Sequence, residues 1–406
     1  MGADVSTAEA EPLIPVANEF AFNFFKVIAN RQDGNIVFSP SAIAAGLSLM
    51  QLASKNETSQ EINQVMGFEQ FEKSDLHTAV GALRSLLFEK SKYWGFYGAS
   101  RIYAPTKLKI NKKFRKSSLE LYQTVVEGKN FEDTRHAVRD VNHWLGEEMQ
   151  HTANDMLTEN HVDKTDLIVM INALYFAGKL ETPFLSSSTK IGKFFSSETD
   201  SYNVAMMNVK CSFPYFYDTD MKCQVLEMPY HENKFRLLLV LPEERMGLSD
   251  IESSLTVQTL QKWCRPRQMD VVDVHLPRFD LDYTIDPSEG LKVMGISAIF
   301  DPQKAGLSGI GDNAYLSKFF HYARVGVQEH GIIPGEDQLP GDVHSFVVSF
   351  ETFKADHPFL FLIQDKRKGA IVYMGRQACP PKISDTELKE MYKRAKNKLK
   401  AQTRVS

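Results

Sequence analysis

Apolar positions follow a helical period early in the chain and gather into short runs later. From Pro15 to Ala29, the spacing of Val16, Phe20, Phe24, Val27 and Ile28 predicts an amphipathic helix. Ser41 to Leu52 follows a Ser-Pro pair and is apolar on most sides, which predicts a buried helix. Ala137 to Met156 keeps the period through Val141, Trp144, Leu145 and Met149. The texture then changes. Leu167–Phe176, Gln224–Met228, Phe235–Leu241, Val271–Leu276 and Phe359–Ile363 are apolar runs of strand length. Helices first and strands later, without βα alternation, predict an α+β protein with mostly antiparallel sheets.

Two segments break this texture. GIIPGEDQLPGDVHS, Gly331 to Ser345, holds three Gly, two Pro and three acids between strand-like runs, the composition of an exposed loop. From Lys382 to Ser406 the chain turns basic, with eight Lys/Arg against three Asp/Glu. Ser384 and Glu387 fit a capping box, and Leu388, Met391, Tyr392, Ala395 and Leu399 share one helical face. The expected layout is one domain over 1–381 and a basic amphipathic extension over 382–406.

Charge and composition then narrow the classes of function. The 406 residues are 43% hydrophobic and carry a net charge of −4, so a disordered or collagen-like chain is excluded. An acidic body excludes a whole-chain nucleic-acid role. Cys211, Cys223, Cys264 and Cys379 form no CxxC pair and read as free thiols. The first twenty residues show no signal-peptide pattern, and no apolar run is long enough to span a bilayer. These features predict a soluble, leaderless monomer, either cytoplasmic or secreted without a leader. HExxH, Walker A, GxGxxG and GxSxG are all absent, and the histidines form no metal-ligand pattern. No enzyme activity, cofactor or metal is expected.

Several strings together resemble the serpins, the serine protease inhibitor superfamily. They are NIVFSPSAIAAGLSLM from Asn35, NALYFAGKLETPF from Asn172, then Thr189 with Phe194 and Phe195. VLEMPY from Val225, LLLVLP ending at Pro242 and HLPRFDLDY from His275 continue the order. LKVMGISAIF from Leu291, FKADHPFLFLI from Phe353 and YMGRQACP ending at Pro380 complete it. The resemblance implies about nine helices and three sheets with an exposed reactive-centre loop. It also implies suicide-substrate inhibition, in which the cleaved loop inserts into a sheet as a new central strand. Ser39, Asn172 and His321 match the shutter positions that hold that sheet closed. Ala42 stands where a second shutter serine is usual, and Leu180 replaces the tryptophan after the GK pair. Both departures predict a weaker gate.

Glu329 and Gly331 match the acid and glycine of the family's hinge, placing the loop at about 331–351. Fourteen residues beyond Gly331 lies Ser345, whereas eleven before Pro358 lies Val347. The two counts bracket Phe346. Cleavage after Phe346 suits a chymotrypsin-like protease with a deep apolar pocket, and cleavage after Val347 an elastase-like one. The hinge residues Ile332, Pro334 and Glu336 fit insertion poorly. Pro334 gives no ladder hydrogen bond, and of the adjacent Glu336 and Asp337 one must face the interior. The alternative is therefore a non-inhibitory serpin with a binding or storage role, its loop cut as an ordinary substrate.

Three further features have surface readings. Lys107, Lys109, Lys112, Lys113, Arg115 and Lys116 form a basic cluster suited to a glycosaminoglycan or another polyanion, or simply to solvent. Gly2 with Ser6 fits a myristoylation pattern which, with the basic extension, would give membrane-surface contact. Asn56 heads a glycosylation acceptor, Asn-Glu-Thr.

Overall fold

A computed structural model describes residues 10–87, 91–151, 156–329, 350–384, 386–389, 391 and 393. Helix α1 (Leu13–Ala29) turns Phe20, Phe24 and Phe25 inward, where Phe24 meets Phe38 edge-on at 5.2 Å. Strand β1 (Ile36–Phe38) leads into α2 (Pro40–Ala53), a helix buried along most of its length. Ser39 caps it by accepting the Ala42 N–H at 3.2 Å, with Pro40 at the first position, where its missing N–H is harmless. Helices α3 (Asn56–Met66) and α4 (Lys73–Leu87) follow, with periodicity too polar to stand out in the sequence.

The next elements are β2 (Trp94–Pro105), α5 (Lys112–Tyr122), β3 (Val125–Lys129), α6 (Thr134–Glu148) and β4 (Ile168–Gly178). Helix α6 is shorter than the pattern predicts. Gln150 and His151 take positive φ angles of 55° and 56°, and the His151 N–H returns to the Gly146 carbonyl, closing the helix before Met156. Strands β5 (Lys190–Phe195), β6 (Ser201–Asp218), β7 (Cys223–Pro229) and β8 (Phe235–Pro242) come next. Short helices α7 (Leu248–Ser254) and α8 (Val257–Trp263) lead to β9 (Met269–Pro277) and β10 (Phe279–Ile285). Helix α9 (Ser288–Met294), β11 (Leu316–Val327), β12 (Glu351–Lys354), β13 (Phe359–Asp365) and β14 (Ile371–Gln377) complete the described elements.

The fold is α+β. Nine strands join along β1-β14-β13-β8-β7-β6-β9-β12, with β5 beside β6. Strand β6 serves two sheets in turn: Met206–Pro214 pairs with β9, and Tyr215–Asp218 with β7. The other five strands run β10-β11-β4-β2-β3. Of the strand pairs between described residues only three are parallel, β4 with β11 among them.

Strand β4 is buried along its whole length, which explains its unbroken apolar run. Ile168, Met170, Leu174 and Phe176 face the main core. Val169, Ile171, Ala173 and Tyr175 face a second cluster under α6, where Tyr103 meets Trp144 edge-on at 6.1 Å.

Gly375 of β14 has no room for a side chain between its neighbours β1 and β13. A Cβ there would lie 2.4 Å from both the Ile36 carbonyl oxygen and Phe361 Cζ. Gly375→Ala should therefore lower stability by about 1–3 kcal/mol. A denaturant melt with an unchanged midpoint would show that β1 yields freely.

Candidate functional site: a closed parallel seam and the base of the loop

The parallel seam between β4 and β11 runs from Ile168 opposite Leu316 to Phe176 opposite Val325. Its middle holds the polar residues of the site. Asn172 pairs in register with His321 on one side and with Ser100 of β2 on the other. Three polar residues thus lie side by side across three strands at one level.

Each is tied to its surroundings. Asn172 Nδ2 donates to the Ala42 carbonyl at 2.9 Å, and its Oδ1 accepts from Ser100 Oγ at 2.7 Å. Thr124 Oγ1 donates to Ser100 Oγ at 2.9 Å, extending the chain to the start of β3. On the far side of the seam, the Ser39 N–H donates to His321 Nε2 at 2.9 Å. Both seam strands are therefore fastened to the first turn of α2. Gly46 permits that approach, because a Cβ there would lie 2.7 Å from Asn172 Nδ2 and 2.9 Å from Phe319 Cζ.

Ser39, Asn172 and His321 are thus brought together. Ser100 and Thr124 belong to the same network and escape a reading of the sequence, since nothing local sets the register of β2 on β4. The missing hydroxyl at Ala42 is offset in two ways. Ser41 Oγ lies 3.1 Å from Ser39 Oγ, and Ala42 uses its backbone N–H and carbonyl instead. Leu180 is buried and bridges Tyr230 across two backbones, filling apolar space without a polar anchor.

His321 is fully buried, and burial pushes its imidazole pKa down to about 3; the Asn172 backbone offsets part of that effect. The ring is neutral, with Nε2 as acceptor.

At the top of the seam, β11 ends and the chain reaches Glu329. Its carboxylate accepts from Thr189 Oγ1 at 2.8 Å and from Arg278 Nε at 3.0 Å, with Arg278 Nη2 as a third donor. Burial raises the Glu329 pKa, but the hydrogen bonds from Arg278 and Thr189 outweigh burial and hold it below the ordinary carboxylate range. Among the hinge and bait positions only Glu329 is described. Gly331, Ile332, Pro334, Glu336, Ser345, Phe346 and Val347 lie outside the described residues, as does Gly2. The chain resumes at Phe350, whose ring lies 3.2 Å beneath Lys210 Nζ, and then pairs as β12 with β9 of the other sheet system.

The basic cluster sits on the β2–α5 connection and the first turns of α5, all six residues exposed. Lys107 pairs with Glu132 at 3.1 Å and Lys116 with Glu120 at 3.8 Å, while Arg115 donates to the Val126 carbonyl. Asn56 is exposed at the start of α3, but Thr58 is buried, with its Oγ1 accepting the Gly306 N–H at 3.0 Å. Among the described residues no metal-binding cluster occurs, and no helix is long and apolar enough to cross a membrane.

Two sheet systems, a parallel seam with a polar row across it and a chain that passes from one sheet to the other define an α+β fold built around one seam. The family model Serpin (serine protease inhibitor) matches residues 15–380, and the chain belongs to that family. It is 30% identical to the leukocyte elastase inhibitor of Bos taurus, covering 91% of this chain and all of the relative. Rattus norvegicus Serpin B5 is also 30% identical, over 89% of this chain and 97% of its own length. Among solved structures, uncleaved ovalbumin superimposes with a TM-score of 0.84 at 27% identity, over 91% of this chain and all of its own. The family's description is that of protease inhibitors and not of enzymes.

The seam should respond to pH. His321 takes up a proton near pH 6.5 when exposed but only near 3 when buried, so protonation favours the open or unfolded state. Stability should be full above about pH 6.5 and fall as the pH drops below it. Melting temperatures at pH 7.5 and 5.5 should differ more for the native chain than for His321→Asn. Equal differences would remove His321 as the cause.

Proposed function

We propose that the chain inhibits an elastase- or chymotrypsin-like serine protease by offering the bond near Phe346–Val347 and inserting the cleaved loop between β4 and β11. One observation carries this reading. β4 and β11 are parallel and directly paired, and the chain leaves β11 at Glu329 to resume in β12 of the other sheet system. Insertion would place a strand antiparallel to both neighbours, so ladder bonds would replace those lost when the seam opens. The relatives named as leukocyte elastase inhibitors support a protease of elastase type.

Glu329 sets where insertion starts, because the Arg278–Thr189 clamp fixes the point at which the chain turns. Ser39, Asn172 and His321 set where it is resisted, since a strand passing that level must separate Asn172 from His321.

A second reading has an observation of its own. β4 faces apolar clusters on both sides, so an inserted strand meets apolar surroundings whichever way a side chain points. Pro334, Glu336 and Asp337 enter such a site at high cost, several kcal/mol for an unpaired carboxylate. This favours turnover as a substrate.

Mixing the protein with pancreatic elastase or chymotrypsin should give an SDS-stable complex together with a larger cleaved fraction. The released C-terminal fragment should begin at Val347 or Val348. Replacing Pro334 and Glu336 with Thr and Ala should increase the complexed share several-fold. Cleavage with no complex for either protease, in both native chain and variant, would reject inhibition in favour of the substrate reading.

A further inference from the structure

The family model ends at residue 380, yet the described chain continues along the body. Tyr202 O–H donates to the Pro380 carbonyl at 3.0 Å, and the Ile383 N–H to the Asn203 carbonyl at 3.1 Å. Lys382 Nζ stands 5.1 Å from the centre of the Tyr202 ring. Ser384 then starts a helical turn, its Oγ accepting the Glu387 N–H at 3.2 Å and its carbonyl the Leu388 N–H at 2.8 Å. The Glu387 carboxylate departs from a capping box: instead of reaching back to the Ser384 N–H, it accepts from Arg278 Nη1 at 2.7 Å.

Arg278 thus spends its other two nitrogens, Nε and Nη2, on Glu329 and its third on Glu387. Its own N–H donates to the Ala205 carbonyl at 2.9 Å, anchoring the residue to β6. A planar guanidinium held from both edges has little freedom to swing. The chain of contacts runs from the extension through Arg278 and Glu329 to Thr189, the residue just before β5.

We infer that Glu387 is a positioning residue for the loop base: by holding Arg278 from its outer edge it fixes the guanidinium that clamps Glu329, so that the extension restrains opening at the top of the β4–β11 seam. The inference rests on the reading that the loop inserts at that seam, and it assigns the extension a role in setting how readily insertion begins. Both Arg278 and Glu387 are about one-third exposed, so the pair is a modest restraint and not a lock.

The test is amide hydrogen exchange on the intact, uncleaved full chain, followed at residues 322–329 and 189–195, with inhibition measured in parallel. Glu387→Gln should speed exchange in both segments about 2- to 5-fold, the range of a partly exposed ion pair. Glu387→Asp should restore protection, whereas Lys389→Gln, an exposed change one residue past Leu388, should leave it unchanged. The same Glu387→Gln chain should raise the share of protease trapped as complex. Unchanged exchange in Glu387→Gln overturns the inference whether or not the protein inhibits. Faster exchange without any protease complex in native chain or variant supports the positioning role and overturns the insertion reading. Equal loss of protection in Glu387→Asp and Glu387→Gln would mean that the turn merely packs there, and would also overturn it.

Discussion

The insertion proposed for this chain would turn on one pair of neighbours, Asn172 and His321, facing each other across a parallel seam. Parallel strands gain slightly less from each ladder bond than antiparallel ones, so a seam of this kind is a natural place for a sheet to part. Here the seam is reinforced from behind. Ser39 holds His321, and the Ala42 carbonyl holds Asn172, both from the first turn of one buried helix. Parting the strands would strip partners from buried polar groups, each at about 1–3 kcal/mol. The closed seam is held by a few hydrogen bonds that only a newly added strand could replace.

Charge plays the corresponding part at the top of the seam. Glu329 is buried yet accepts from two donors of Arg278 and from Thr189, which makes its ionised form the stable one there. In the proposed insertion the polar middle and the charged top would act on different steps. The top would set where insertion starts, and the middle how far an inserted strand could travel. Loop composition would work against such an insertion, since Pro334 has no N–H to donate and Glu336 would bring a charge to a strand position.

Much of the fold is legible in the sequence because burial on both faces leaves a plain signature. β4, β8 and β13 are read directly as apolar runs, α1 as a periodic one and α2 as a segment apolar on most sides. β2 is not, because Gly98, Ser100 and Arg101 interrupt its alternation; Ser100 serves the polar row and Arg101 pairs with Glu127. Long strand β6 is hidden by its change of partner near Pro214, where one alternation gives way to another. The shutter residues come from family resemblance, whereas Ser100 and Thr124 require the register of separate strands. The pairing of Glu387 with Arg278 spans 109 residues and has no local signal; the local pattern suggested a capping box instead.

The central claim is that the seam accepts the loop and that loop chemistry limits the gain. The most direct measurement is the melting temperature of the protein before and after a single cut near Phe346–Val347. The account predicts a rise, because a new strand would complete the five-stranded sheet between β4 and β11. It also predicts that the rise is smaller than that of a Pro334→Thr, Glu336→Ala chain cut at the same bond. An unchanged melting temperature in both chains would contradict it.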